Sequence, residues 1–165
     1  MDAYLDLDAS KPYLSHHQKI VALVIGINDY HGQRLNNAVA DAKAVCKKLR
    51  SKGVHVIEAY NCDYDELKQK EAEYLGMLGS GCVGIIFFAG HGVEYNNLNR
   101  LIPKTVTANI HFQNDTLCAQ KMLMRYAESL SRIHGKSLRL SAFFHRFQMI
   151  LTIAGWRRKG QWRIS

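Results

Sequence analysis

The segment GCVGIIFFAGHG, residues 81–92, decides the fold. Its apolar centre is too short for a helix and is bracketed by glycines, whereas its β-branched and aromatic residues favour a strand buried on both faces. The segment ends on His91, which stands between two glycines. Function concentrates at the carboxyl ends of strands in open α/β sheets. A histidine there, flanked by residues without Cβ atoms, can be approached closely by another backbone, although it also fits a plain turn after a core strand.

Two earlier segments predict strands parallel to this one. Residues 20–25 are continuously apolar, and residues 54–60 alternate in character. A helix is predicted over 35–52, with Asn36 or Asn37 as its cap. A second helix is predicted over 64–78, because residues 63–66 form a capping box. This order of strands and helices predicts an α/β fold with a mostly parallel central sheet and helices on both faces.

The later part of the chain carries weaker patterns. Residues 96–106 predict a small hairpin and 116–131 a third helix. A fourth strand is predicted over 137–144, and another apolar run covers 149–154. We therefore divide the chain into a polar leader at 1–18, a folded domain at 19–135 and an atypical basic tail at 136–165.

The net charge of +8 is concentrated in the tail. Residues 132–165 contain eight cations and no acid, whereas residues 1–131 contain 14 basic and 14 acidic residues. The domain is therefore not a basic nucleic-acid-binding module, and no specific nucleic-acid partner is expected. The tail alone could contact nucleic acid or a membrane surface.

Composition places the chain among ordinary globular proteins, with 47% hydrophobic and 22% charged residues. No apolar run approaches the roughly 18 residues of a membrane span, and no export signal is visible, so we expect a cytoplasmic protein. The four cysteines are then expected to be reduced thiols. Their spacing matches no zinc pattern, and we expect neither a metal nor a cofactor.

The motif AGHG, residues 89–92, following an apolar strand, resembles the catalytic-histidine turn of the caspase-like cysteine peptidases, and within that superfamily the paracaspases. Four other segments resemble paracaspase segments in the same order, namely ALVIG at 22–26, LNNAVADA at 35–42, LIP at 101–103 and LCAQ at 117–120. The resemblance covers about two thirds of the chain. It implies a caspase-like sandwich of which only the larger-subunit (p20) portion is present.

The resemblance also implies roles for three residues. His91 would act as the base that exchanges protons, and the backbone N–H of Gly92 would donate to the oxyanion. Asp41 would lie on the floor of the S1 pocket and pair with a basic P1 side chain, although it also fits a solvated acid in the first turns of a helix. We expect the side chains of Asp41 and His91 to border one cleft and to be separated by on the order of 10 Å. That cleft should be open where a fourth-strand cysteine would stand.

No residue fits the nucleophile. In caspases the cysteine lies about 50 residues after the histidine, but residues 137–147 read SLRLSAFFHRF. Each existing cysteine is misplaced: Cys82 at the opposite end of the sheet, Cys118 too early in a helix entry, Cys46 facing the core and Cys62 in a turn at the far end of a strand. Ser141 has the expected spacing, but it would need its own base and oxyanion geometry.

The sequence thus predicts a caspase/paracaspase-family cysteine endopeptidase domain with a preference for basic P1 residues, inactive as written. We expect a truncated or alternatively spliced product whose last 25–30 residues are unrelated sequence. The expected partners are a polypeptide substrate or signalling adaptor proteins, and a homodimer is expected only of a full-length protein. The alternative is a non-catalytic scaffold, or pseudo-enzyme, that binds signalling adaptors.

Overall fold

The computed structural model describes residues 19–79, 82–96, 98–105, 116–118, 121, 137–145 and 148–156. Its helices and strands are, in chain order, β1 (Ile20–Gly26), α1 (Ala38–Arg50), β2 (His55–Tyr60), α2 (Tyr64–Met77), β3 (Val83–Ala89), β4 (Gly92–Tyr95), β5 (Leu98–Leu101), β6 (Leu117–Cys118), β7 (Ser137–His145) and β8 (Gln148–Trp156). The polar leader predicted over 1–18 lies outside the described residues.

The main sheet has the strand order β2-β1-β3-β8-β7. Strand β1 pairs in parallel with both β2 and β3, as the sequence predicts. Gly26, the last residue of β1, is level with Tyr60 of β2 and Ala89 of β3. The carboxyl ends of the three strands therefore meet at one edge of the sheet, which we call the carboxyl edge.

The two helices cover opposite faces of this sheet, which confirms the predicted α/β arrangement. Alternate residues of β1 pack with the buried side chains of α1 in one apolar cluster. The intervening residues pack with Leu67 and Tyr74 of α2 in the other. Every residue of β3 is buried, because both of its faces are covered. Burial of each large apolar side chain in β3 contributes roughly 1.5–3 kcal/mol to folding.

Helix α2 begins with the predicted capping box, whereas α1 begins after the predicted residue Asn37 but is not capped by its side chain. Asp63 and Glu66 form the reciprocal hydrogen bonds of a capping box. At α1, the N-cap residue Asn37 makes no side-chain capping hydrogen bond. Instead the Asn28 side-chain oxygen, from the loop after β1, accepts from the Val39 amide at 3.1 Å. The helix is thus capped by a residue ten positions before its first turn.

The place next to β3 is taken by β8. This strand runs antiparallel to β3 along its whole length, with Gln148 level with Ala89 and Ala154 level with Val83. Strand β7, predicted as a fourth strand, pairs only with β8 and lies at the outer edge. The two apolar runs of the tail therefore pair with each other and extend the sheet beside β3. The prediction that the cleft is open where a fourth-strand cysteine would stand stays a prediction.

A second, three-stranded sheet has the order β4-β5-β6. Strands β4 and β5 form the predicted hairpin, which begins at Gly92, earlier than the sequence suggests. The helix predicted from Thr116 is wrong at its start, because Leu117 and Cys118 form β6 and pair with β5. Lys121 is helical, and the rest of that prediction lies outside the described residues. Within the described ranges, no helix is long and apolar enough to cross a membrane.

Candidate active site

His91 lies at the carboxyl edge, two residues beyond the end of β3, and its side chain is half-buried. Gly90 connects it to the strand. A Cβ atom on Gly90 would overlap the Tyr30 hydroxyl and would come within 2.7 Å of the Phe88 ring. The glycine is therefore required because Tyr30, from the loop after β1, approaches the chain closely at this point.

The imidazole of His91 is held by this same loop. Its Nε2 lies 2.9 Å from the Gln33 carbonyl oxygen, and its ring is 4.5 Å from the Tyr30 ring, tilted by 58°. Because a carbonyl oxygen only accepts hydrogen bonds, this contact places the proton on Nε2. The neutral ring then carries its lone pair on Nδ1, the nitrogen that can take up a proton.

Gly92 is exposed and begins the edge strand β4. The Ile102 amide donates to the His91 carbonyl at 3.0 Å, so His91 and Ile102 form a hydrogen-bonded pair. In an antiparallel ladder such pairs alternate with pairs whose N–H groups turn away from the partner strand. Gly92, opposite Leu101, occupies the second kind of position. Its N–H is therefore directed away from β5, as an oxyanion donor requires.

Asp41 lies in the first turn of α1 and is half-buried. The start of α1 packs over Gly26, where a Cβ atom would come within 3.0 Å of the Val39 Cα. Since Gly26 is level with Ala89, both Asp41 and His91 lie near the carboxyl edge. The prediction that their side chains border one cleft stays a prediction.

Two asparagines that the sequence analysis missed hold the loop between β1 and α1. The Asn61 side-chain oxygen accepts from the amides of Asn28 and Asp29, at 2.8 and 3.3 Å. Asn61 adopts a left-handed backbone conformation with φ of 48°, which asparagine tolerates better than most residues. In the sequence, the signal that could have drawn attention to it is an asparagine directly after a predicted strand, because asparagine favours such turns.

All four cysteines are buried. Burial raises the pKa of the Cys46 thiol, and a hydrogen bond from Tyr60 only partly offsets this. Burial also raises the pKa of Cys62, with a further contribution from Glu66. The thiolate is the nucleophilic form, so neither thiol is activated at neutral pH.

Cys62 and Cys82 lie at opposite edges of the sheet. Cys62 is the second residue after β2, at the carboxyl edge. Because β2 is two strands from β3, Cys62 lies about 10 Å from β3. Its side chain packs into the apolar cluster under α2. Cys82 precedes β3, at the other edge, as predicted. Cys118 is buried in β6, a strand where a helix entry was expected.

The backbone register separates Ser141 from His91. Ser141 pairs with Thr152, which in turn pairs with Ile85 in the middle of β3. It is thus two strands away from β3 and four residues short of its carboxyl end. These offsets correspond to roughly 10 Å and roughly 13 Å. Its spacing in the sequence therefore does not bring it to the candidate site.

The structure places His91 and Gly92 next to each other at the carboxyl edge, and none of the four buried cysteines lies beside them. Among the described residues, no group of three or more His, Cys, Asp or Glu side chains could hold a metal ion. The sequence motif located His91 and Gly92, whereas Tyr30, Gln33 and Asn61 join the site through contacts distant in sequence.

Comparison with known proteins gives one informative match. A search of curated proteins finds no match. A family model described as the caspase domain matches residues 19–137, more than half of the chain. This range includes β1, β2, β3 and His91, the elements that build the carboxyl edge. The chain belongs to the caspase-domain family.

Proposed function

We propose that the chain is a paracaspase-type caspase domain that binds polypeptides through a pocket for a basic P1 side chain and does not hydrolyse them. The observation that carries this proposal is the contact between His91 Nε2 and the Gln33 carbonyl oxygen. It is combined with the burial of all four cysteine thiols. In this proposal the base is oriented for proton exchange, but no activated nucleophile accompanies it among the residues that the structure describes. We further propose that the domain acts in the cytoplasm, in signalling.

In this proposal each of the three predicted residues keeps a role. Asp41 accepts the hydrogen bonds of an arginine or lysine side chain, because a charge-assisted pair is the strongest polar contact available to it. Gly92 donates its N–H to the carbonyl oxygen of the bound residue. His91 lies beside that carbonyl and would exchange protons with an attacking group if one were supplied.

The test separates binding from turnover. Purified protein is incubated with fluorogenic peptides carrying Arg or Asp at P1 and with a cysteine-directed peptide warhead that carries Arg at P1. We expect no turnover above background and no covalent adduct near His91, together with reversible binding of the arginine peptide. Turnover that is abolished by His91→Ala would overturn the claim that the nucleophile is missing.

The second candidate is a non-catalytic scaffold that binds signalling adaptor proteins. It is favoured by β8, which runs antiparallel to β3 where a catalytic fourth strand would be placed. A scaffold would bind its partner through surfaces that do not depend on the candidate pocket. Equal binding of arginine and aspartate peptides, unchanged by Asp41→Asn, would favour the scaffold over the basic-residue pocket.

A further inference from the structure

We propose that Tyr30 is the positioning residue of His91, through a hydroxyl inserted into the β4–β5 ladder and a ring that contacts the imidazole. This inference deepens the proposed function and rests on the role given there to His91. Its test does not involve peptide binding or turnover, so the two proposals can fail separately.

The hydroxyl replaces one hydrogen bond of the ladder. His91 and Ile102 are opposite each other, and a complete hydrogen-bonded pair would exchange two N–H to C=O bonds. Only one forms directly, from the Ile102 amide to the His91 carbonyl. The Tyr30 hydroxyl completes the other, since it accepts from the His91 amide at 2.8 Å and donates to the Ile102 carbonyl at 3.1 Å.

The insertion fixes the point at which the chain leaves the main sheet. Ala89 is the last residue of β3, and Gly92 is the first of β4. Between them the His91 carbonyl accepts from the Ile102 amide, and the His91 amide donates to the Tyr30 hydroxyl. A tyrosine hydroxyl can do this because it donates and accepts at the same time.

Tyr30 also presents the acceptor for the imidazole. The Gln33 amide donates to the Tyr30 carbonyl at 3.3 Å and closes a turn, and the Gln33 carbonyl in turn contacts His91 Nε2. One residue thus holds the histidine's amide, one side of its ring and the turn that carries its hydrogen-bond partner. The imidazole orientation and tautomer both depend on this arrangement.

The Tyr30 hydroxyl lies in a buried space that the neighbouring residues leave free for it. Tyr30 is 7% exposed, and Gly90 leaves the space that the hydroxyl occupies. Burial raises the pKa of Tyr30 well above its usual range, although the hydrogen bond from the His91 backbone acts in the opposite direction. The hydroxyl therefore keeps its proton and remains a donor to Ile102 under ordinary conditions.

The test is ¹⁵N NMR of the whole chain, comparing Tyr30→Phe with the original protein. The ring nitrogen shifts of His91 report which nitrogen carries the proton, and hydrogen exchange reports on its amide. We expect Tyr30→Phe to change the Nε2–H tautomer into a mixture and to accelerate exchange of the His91 amide by roughly tenfold, as expected for one lost hydrogen bond. A purely structural tyrosine would leave the tautomer unchanged.

Tyr60→Phe is the matched control. The Tyr60 hydroxyl is also hydrogen-bonded, but its partner is the Cys46 sulfur and not His91. The control variant should leave the His91 signals unchanged. If Tyr30→Phe fails to fold, the measurement is made on the unsubstituted protein. There we expect a nuclear Overhauser contact between the Tyr30 hydroxyl proton and the His91 amide. Absence of that contact, or a folded Tyr30→Phe with unchanged His91 tautomer and exchange, would overturn the proposal.

Discussion

His91 Nε2 lies 2.9 Å from the carbonyl oxygen of Gln33, although 58 positions separate the two residues. The two residues come together because β1 and β3 are adjacent and parallel and end at the same edge of the sheet. The loop after β1 then reaches the residue that follows β3. The orientation of the His91 ring thus depends on the loop after β1. Substitutions that destabilise this loop should therefore disturb the candidate site.

Asn28→Ala should destabilise the protein by about 0.5–2 kcal/mol, because α1 loses its capping acceptor at the Val39 amide. Asn37→Ala is the matched control. Asn37 occupies the N-cap position without a side-chain hydrogen bond, so its replacement should change the free energy of unfolding by less than about 0.5 kcal/mol. Urea unfolding of both variants measures the difference, and equal losses would contradict the assignment of Asn28 as the cap.

Asn61→Ala should lower the free energy of unfolding by about 1–3 kcal/mol, because the amides of Asn28 and Asp29 lose their acceptor. Asn61→Gly removes the same acceptor without the cost of a left-handed backbone, so it should be less damaging than alanine. Asn96→Gly is the control, since Asn96 has a similar φ of 52° but is exposed. Thermal unfolding should show no loss for this variant.

The protein should lose stability in alkali. Burial raises the pKa of both Tyr30 and Tyr74 above the usual 10.0. The unfolded chain therefore releases these protons at lower pH than the folded chain does. The stabilisation is complete below about pH 10 and falls as the pH rises, by about 1.4 kcal/mol for each tyrosine at about pH 11. Urea unfolding between pH 8 and about pH 11 measures this loss, and a smaller loss is expected for Tyr30→Phe.

Asp41→Asn should weaken binding of a peptide with arginine at P1 by roughly tenfold or more, because a charge-assisted hydrogen bond is lost. Fluorescence polarisation with a labelled peptide measures the change. Asp65→Asn is the matched control, since Asp65 is also an acid in the first turn of a helix, α2. Equal effects of the two substitutions would show that only the net charge matters, and the pocket assignment would be lost.

Local sequence patterns were sufficient to predict most of the individual strands and helices of the main sheet. The apolar run of β3 specified a strand covered on both faces, and Asp63 with Glu66 specified the start of α2. The same reasoning failed at the start of the helix predicted over 116–131, where β6 forms instead. There the pairing with β5 outweighs the local preference for a helix.

The sequence by itself determined that β1, β2 and β3 are parallel and that His91 follows a buried strand, because both follow from hydrophobic patterning between near neighbours. Only the tertiary structure decided that Asn28 caps α1, that Tyr30 enters the β4–β5 ladder and that β8 extends the sheet beside β3. Each of these depends on groups far apart in sequence, which meet only after the sheet has closed, and a single chain's local pattern does not record such pairings.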